Sequence, residues 1–347
     1  MIDYNNFINE IILIKTGNIV SLNLFLFIIL TLLFSLAIDV FYGELPTRIH
    51  PVVIIGSIIN FFKKYFIKIR NKMSGLLLVL ATSIVSSVIL YIIYLISSIN
   101  ILLLFIIFTI ILSSTYSVNM LLKTAKDVKD DLDENIDKAR QSVSYLVSRN
   151  TEELTESFIV SAVIESLTEN ITDSYVAPIF YYAVFSLIIL LNPFYNDLYY
   201  LLLVPMIYRM FNTLDAMVGY KTDELIHIGF FPAKIDDVLN YIPARISGIY
   251  VVISAYLLKL NGKNSYDIMR RDARNCPSPN SGYTMATTAG ALDIQLIKKD
   301  TYILGDPNKE IDKDDITKAV NLSKMTIVLF TITIFVLLTL IYVILWK

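Results

Sequence analysis

Three uninterrupted apolar runs, residues 22–38, 75–96 and 325–346, are each about as long as a helix must be to cross the ~30 Å hydrocarbon core of a bilayer. Lipid offers a backbone amide no hydrogen-bond partner, so such runs are restricted to helices or closed barrels, and apolar continuity without alternation selects helices. Runs 101–118 and 176–191 are further expected spans; the first follows its predecessor through a tight turn at Ser97, Ser98 and Asn100. Runs 198–211 and 246–258 are short for a crossing, and Pro205 is expected to interrupt the former. The expectation is an all-α polytopic membrane protein with about five to seven transmembrane helices and cytoplasmic helical loops. Asp3 and Glu10 precede the first run and no small-residue cleavage site follows it, so that run reads as a retained anchor.

Composition agrees. Of 347 residues 55% are hydrophobic and only 17% charged, with a mean hydropathy of +0.62, far from a soluble domain. A net charge of −2 without a dense Lys/Arg block argues against nucleic acid as partner and leaves the lipid bilayer as the evident one. One cysteine excludes a disulfide framework and a Cys-cluster metal site, and two histidines argue against a His-rich one.

The chemistry must therefore lie in four polar stretches, 39–74, 121–175, 212–245 and 261–324, all within a single integral membrane domain spanning 1–347. Lys63, Lys64, Lys68, Arg70 and Lys72 place the first stretch in the cytoplasm by the positive-inside rule. Span counting returns the chain there at 121 and, provided 198–211 crosses, again at 212, with 192–197 as an external turn. If 246–258 also crossed, 261–324 would lie outside.

Stretch 121–175 reads as helical, with Lys126, Asp130, Glu134 and Lys138 on a solvated face. Glu165, Glu169 and Asp173 recur every fourth residue and on one continuous helix would form a carboxylate stripe. Mg²⁺ or a substrate amine would relieve their repulsion; a solvated acidic face accounts for the spacing equally well. Asp236 and Asp237, followed by Asn240 and Arg245, lie at the border of a weak apolar run, where either acid can cap a helix. Asn212, Asp215, Tyr220 and Lys221 fall within about three helical turns. Arg271 and Arg274, near Arg270, share a helix face able to clamp a phosphate or carboxylate, with Asp272 orienting one of them; a lipid-facing basic patch is the competing reading. Asn275–Gly282 is a loop, with Pro277 and Pro279 removing donors and Gly282 permitting unusual dihedrals. His50 sits between Arg48 and Pro51 and reads as structural; Cys276 has no histidine near it in sequence to activate a thiol. No G-x-x-x-x-G-K-[ST] loop is present, so an ATP site would be of another kind.

Five segments together resemble the CobD/CbiB family in order and spacing: DVFYGELPTRIHPVVIIG (39–56), ESLTENITDSYVAP (165–178), NTLDAMVGYK (212–221), DDVLNYIPAR (236–245) and RDARNCPSPNSG (271–282), continued by GALDIQL (290–296) and YILG (302–305). Departures are Leu45, where the family often has proline, and Tyr283, Thr284 and Met285. The resemblance implies an adenosylcobinamide-phosphate synthase, joining adenosylcobyric acid to (R)-1-aminopropan-2-ol or its O-phosphate with ATP and Mg²⁺. The matching positions are Asp39, Glu44 and His50; Glu165, Glu169 and Asp173; Asn212, Asp215, Tyr220 and Lys221; Asp236, Asp237, Asn240 and Arg245; and Arg271, Asp272, Arg274, Ser278 and Asn280. The implied catalytic set is Glu165, Glu169, Asp173, Asp236, Asp237, Arg271, Asp272 and Arg274, with the first three also holding metal; the others would contact substrate. ATP being cytoplasmic, the resemblance implies a cytoplasmic 261–324 and a run 246–258 that does not cross, leaving Lys347 outside. Cys276 would then be a probe of sidedness. A non-enzymatic membrane sensor resembling AmpE leaves the intact RDARNCPSPNSG unexplained, and a transporter would want its acids inside a span.

Overall fold

A computed structural model describes residues 22–147, 149–192 and 198–346. The anchor acids Asp3 and Glu10, most of the 192–197 turn and Lys347 lie outside the described residues. The architecture is all-α, with one two-stranded hairpin. Among the described residues six helical segments are long and apolar enough to cross a membrane, or seven if Phe230–Leu239 and Tyr241–Leu257, broken at Asn240, count as one span.

The chain divides into two compact units, Met1–Ser117 with Pro178–Val238 and Thr333–Lys347, and Val118–Ala177 with Leu239–Ile332. The first contains α1 (Leu22–Phe41), α2 (Pro51–Phe66), α3 (Lys72–Ser97), α4 (Ile101–Ser113), nearly all of α8 (Ala177–Leu191), α9 (Tyr199–Val218) and most of α10 (Phe230–Leu239). α9 packs on α2, α3 and α4, and α1 packs on α4. Pro205 does not interrupt α9: it is buried inside a continuous helix. Apolar packing holds the helix through the one missing N–H, as transmembrane helices commonly allow. The run 101–118 is shorter than expected. Its helix stops at Ser113, where the hydroxyls of Ser113, Ser114 and Thr115 donate back to the carbonyls of Ile110, Ile111 and Leu112 at 2.7–2.8 Å and compete with the ladder.

The second unit contains α5 (Val118–Glu134), α6 (Ile136–Ser144), α7 (Glu156–Ile171), a π-helical turn (Thr172–Val176), α11 (Tyr241–Leu257), α12 (Gly262–Asp272), α13 (Gly282–Leu292), strands β1 (Leu296–Lys298) and β2 (Tyr302–Leu304), and most of α14 (Asp314–Trp346). The strands are antiparallel, Ile297 opposite Ile303. α13, buried along nearly its whole length, is the centre: α7, α11, α12 and both strands pack on it. Its core is Val163, Ile164, Leu167, Met285, Ala286, Ala289, Leu296, Leu304 and their neighbours. The expected helical reading of 121–175 holds, with a break at Asn135, whose side chain accepts the Asp137 amide at 2.7 Å and starts α6. Lys138 pairs with Glu134 at 2.7 Å, as the four-residue spacing suggests, and with Asp131 at 2.8 Å.

Candidate active site

The second unit holds residues 165–177, 239–245 and 271–282 of the five segments, and one of its buried networks centres on Glu165. This carboxylate is buried on α7. Its Oε1 accepts the Ser161 hydroxyl at 2.6 Å; its Oε2 accepts the Arg149 guanidinium at 3.1 Å and the Tyr302 hydroxyl at 2.8 Å. Ser161 in turn accepts the Ile297 amide at 3.0 Å, tying α7 to β1. Burial, reinforced by Glu165, pushes the Tyr302 phenol well above its usual range and keeps it a donor. Glu169, on the same helix, lies within electrostatic reach of Tyr302 and of Cys276 in the Pro-rich loop.

Glu165 and Glu169 lie on α7, and Asp173 in the π-helical turn that follows it. Among the described residues no group of three or more His, Cys, Asp or Glu side chains is arranged to hold a metal ion. Both oxygens of Glu165 are already engaged.

Arg271 and Arg274 do not share a helix face. α12 ends at Asp272, and Arg274 lies in the loop beyond. Arg271 is gripped by Asp272, Nε to Oδ1 at 2.7 Å and a terminal nitrogen to Oδ2 at 2.8 Å, and by Asp306 at 2.9 Å, which together raise its already high pKa. Asp272, buried, also accepts the Gly305 amide at 2.8 Å. It thus orients Arg271 as expected and fastens the end of β2 to α12. Gly305, at φ +81°, is where the backbone needs glycine. Gly282 is not: its φ is unexceptional, and a Cβ there would lie 2.2 Å from the Ala273 carbonyl oxygen, so close approach is what requires a glycine.

Arg245 on α11 lies 3.3 Å from the Tyr241 ring centroid and 4.4 Å from that of Tyr283, and donates to the Tyr241 carbonyl at 2.6 Å and to Asn280 Oδ1 at 3.2 Å. Ser278 Oγ accepts the Asn280 amide at 3.3 Å. Cys276 is buried, and burial pushes its thiol up to about 12. Burial thus disfavours the thiolate that a maleimide attacks, so an exposed position is the better probe of sidedness.

The first unit holds the remaining residues except Asn240, which belongs to the second. Asp236 and Asp237 lie near the C-terminal end of α10, so neither is an N-cap. Asp236 is buried and accepts the Asn212 amide at 3.4 Å, while Asp237 pairs with Lys234 at 3.6 Å. Asn240 is buried at the break that follows. Arg209 donates to Asn212 Oδ1 at 2.9 Å. His50 caps α2, its Nδ1 accepting the Val52 amide at 3.2 Å, with Pro51 at the first helical position. Its pKa is lowered by burial, opposed by Glu44, and lowered further by Arg209. Glu44 accepts the Ser117 hydroxyl at 2.6 Å. Asp39 is buried near the end of α1. α9 ends at Val218, so Tyr220 and Lys221 stand exposed beyond it; Asp215 lies over Gly219, where a Cβ would be 1.9 Å from its Oδ1.

Sequence reasoning singled out neither Arg149, Ser161 nor Arg209. Ser161 precedes Glu165 by one helical turn, a spacing that could have flagged it; Arg149 is brought in by a loop, and no periodicity marks it. Arg209 could have been noticed as a cation within an apolar run.

The arrangement defines a polytopic membrane protein carrying a buried charged network under a Pro-rich loop. A family model described as CobD/Cbib protein matches residues 32–323. The chain is 43% identical over 303 residues to a probable cobalamin biosynthesis protein CobD of Methanothermobacter thermautotrophicus, covering 87% of this chain and 95% of the relative. It is 35% identical over 319 residues to a cobalamin biosynthesis protein CobD of Leptospira interrogans, covering 87% and 96%. For that of Clostridium tetani the identity is 32% over 303 residues, covering 82% and 91%. The chain belongs to the CobD/CbiB family. No solved structure matches it.

Proposed function

We propose that the protein acts in cobalamin biosynthesis as an ATP-dependent ligase, joining the carboxylate of adenosylcobyric acid to the amine of (R)-1-aminopropan-2-ol or its O-phosphate. The observation that carries this reading is that segments far apart in the sequence, around Glu165, Arg245 and Asp272, are tied by hydrogen bonds of their charged side chains within one unit of a chain that matches the family along most of its length. A carboxylate is a poor electrophile. Transfer of the ATP γ-phosphoryl group to a carboxylate oxygen would give an acyl phosphate and ADP. The neutral amine would then attack the acyl carbon, the C–N bond forming as the C–O bond breaks, with release of inorganic phosphate and a proton.

This chain's residues divide the work by geometry. Glu165, held by Arg149, Ser161 and Tyr302, is a positioning residue that fixes α7 against the hairpin. Glu169 and Asp173 would hold Mg²⁺ through substrate phosphates, and the ion would neutralise charge developing on them. Exposed guanidiniums near the Pro-rich loop would meet anionic substrate groups. Since ATP is cytoplasmic, the proposal puts the second unit's loops on that side.

Two measurements test this. Purified protein in detergent, given adenosylcobyric acid, ATP, Mg²⁺ and each amine, should yield the amide mass with one ADP per product by mass spectrometry. Absence of product with either amine sinks the ligase, and activity requiring a sealed vesicle favours a transporter. For sidedness, Lys299→Cys in a Cys276→Ala background places a thiol on the exposed hairpin turn. An impermeant maleimide should label it in inverted vesicles and miss it in intact cells; the reverse pattern would overturn the orientation.

A further inference from the structure

Beside the saturated Arg271 lies a cavity of about 340 Å³ lined by Met269, Arg270, Ala273, Arg274 and Tyr283. Met269 and Ala273 are buried and form an apolar floor, while the two arginines are exposed at its edge. Among the described residues neither guanidinium has a carboxylate within ion-pair distance. Arg270 has only the Tyr266 ring, 5.8 Å from its centroid. The nearby acids Asp272 and Asp306 are both taken by Arg271. The Arg245 guanidinium lies over the Tyr283 ring, 4.4 Å from its centroid.

We infer that Arg270 and Arg274 form a binding site for the phosphoryl group of a soluble substrate. The fork of a guanidinium matches phosphate oxygens in pairs, and an apolar floor strengthens the attraction by lowering the local dielectric. The volume falls at the small end of the ~300–1,000 Å³ typical of ligand pockets. That suits a phosphate with a short carbon chain better than a corrinoid. The inference rests on the ligase reading for the identity of the substrate; the anion site itself stands on the two unpaired cations and the cavity.

The test measures binding to the full-length protein in lipid-free detergent, independently of turnover. The probes are aminopropanol O-phosphate, unphosphorylated aminopropanol and ATP, with phosphatidylglycerol vesicles as a separate arm. Arg270→Gln and Arg274→Gln should each weaken a phosphorylated probe by roughly tenfold or more, the size of a lost charge-assisted contact, and leave aminopropanol unchanged. Arg274→Lys, which keeps the charge and loses the fork, should fall between. A loss confined to the amino alcohol phosphate assigns the site to the amine substrate, and one confined to ATP assigns it to the nucleotide. Unchanged affinity for both phosphorylated probes, or a loss seen only with the vesicles, overturns the inference. Intact phosphate binding without amide product would leave the site standing and remove the ligase.

Discussion

Both units fold buried hydroxyls onto their own helices, and in the second, buried ion pairs also join distant segments. In the second, the buried carboxylates of Glu165, Asp272 and Asp315 each sit against a cation: Arg149, Arg271, and Lys309 with Lys318. In the first, hydroxyls carry much of the burden. Ser35, Ser113 and Ser186 bond back to their own helices, while Thr82, Ser83, Ser86 and Thr109 have buried oxygens without a hydrogen-bond partner. Its half-buried arginine, Arg209, reaches an amide rather than a carboxylate. A hydroxyl can be satisfied by its own helix backbone, whereas a buried carboxylate needs a cation that only another segment can bring, so the charged pairs of the second unit tie distant segments together.

The sharpest way to break this contrast is to remove one arginine from each unit. Arg149→Met strands Glu165 in a buried site and should cost about 3–5 kcal/mol, the usual penalty for halving a buried pair. Hydrogen exchange should then accelerate in α7 and the hairpin; unchanged protection would mean that Ser161 and Tyr302 suffice. Glycines give the next effect in size. Gly282→Ala forces its neighbour's backbone aside and should cost about 1–3 kcal/mol. Gly56→Ala in α2 meets only the Met217 sulfur at 3.7 Å and should be neutral or stabilising by about 0.5–1 kcal/mol. Equal thermal shifts for the two would remove close packing of the Pro-rich loop as a distinguishing feature. Arg209→Met should change stability by less than about 1 kcal/mol, since only a hydrogen bond to an amide is lost. A loss as large as that of Arg149→Met would reveal an ion-pairing role in the first unit as well.

The smallest expected effect depends on pH. The folded pKa of His50 is lowered from about 6.5, so the unfolded chain takes up a proton first as pH falls. Stability of the first unit is then unaffected above pH ~6.5 and declines below it, until the folded histidine also protonates. His50→Asn keeps a capping side chain without the titration and should flatten that slope in acid unfolding. A slope unchanged in the variant would assign the acid sensitivity to another group.

Apolar run length alone determined the membrane class and most of the spans, because in lipid the backbone has one local solution and needs no distant partner. Pairing the five segments with a family was likewise legible, since it depends on residue order. Where the sequence reading erred, tertiary contact outweighed local spacing. The four-residue spacing of Glu165, Glu169 and Asp173 gives no hint of the π-helical turn at Asp173, and Arg149 and Tyr302 arrive at Glu165 from a loop and a strand that no period announces. Arg271 and Arg274 look equivalent at their spacing; only the fold gave Asp272 and Asp306 to the first and a cavity to the second. Gly282 reads as a residue of unusual dihedrals and is instead one of close approach. The sequence determined which groups are available and which helices lipid permits; the tertiary structure decided which charges are spent on one another and which remain for a ligand, because pairing depends on distances between segments that helical periodicity does not encode.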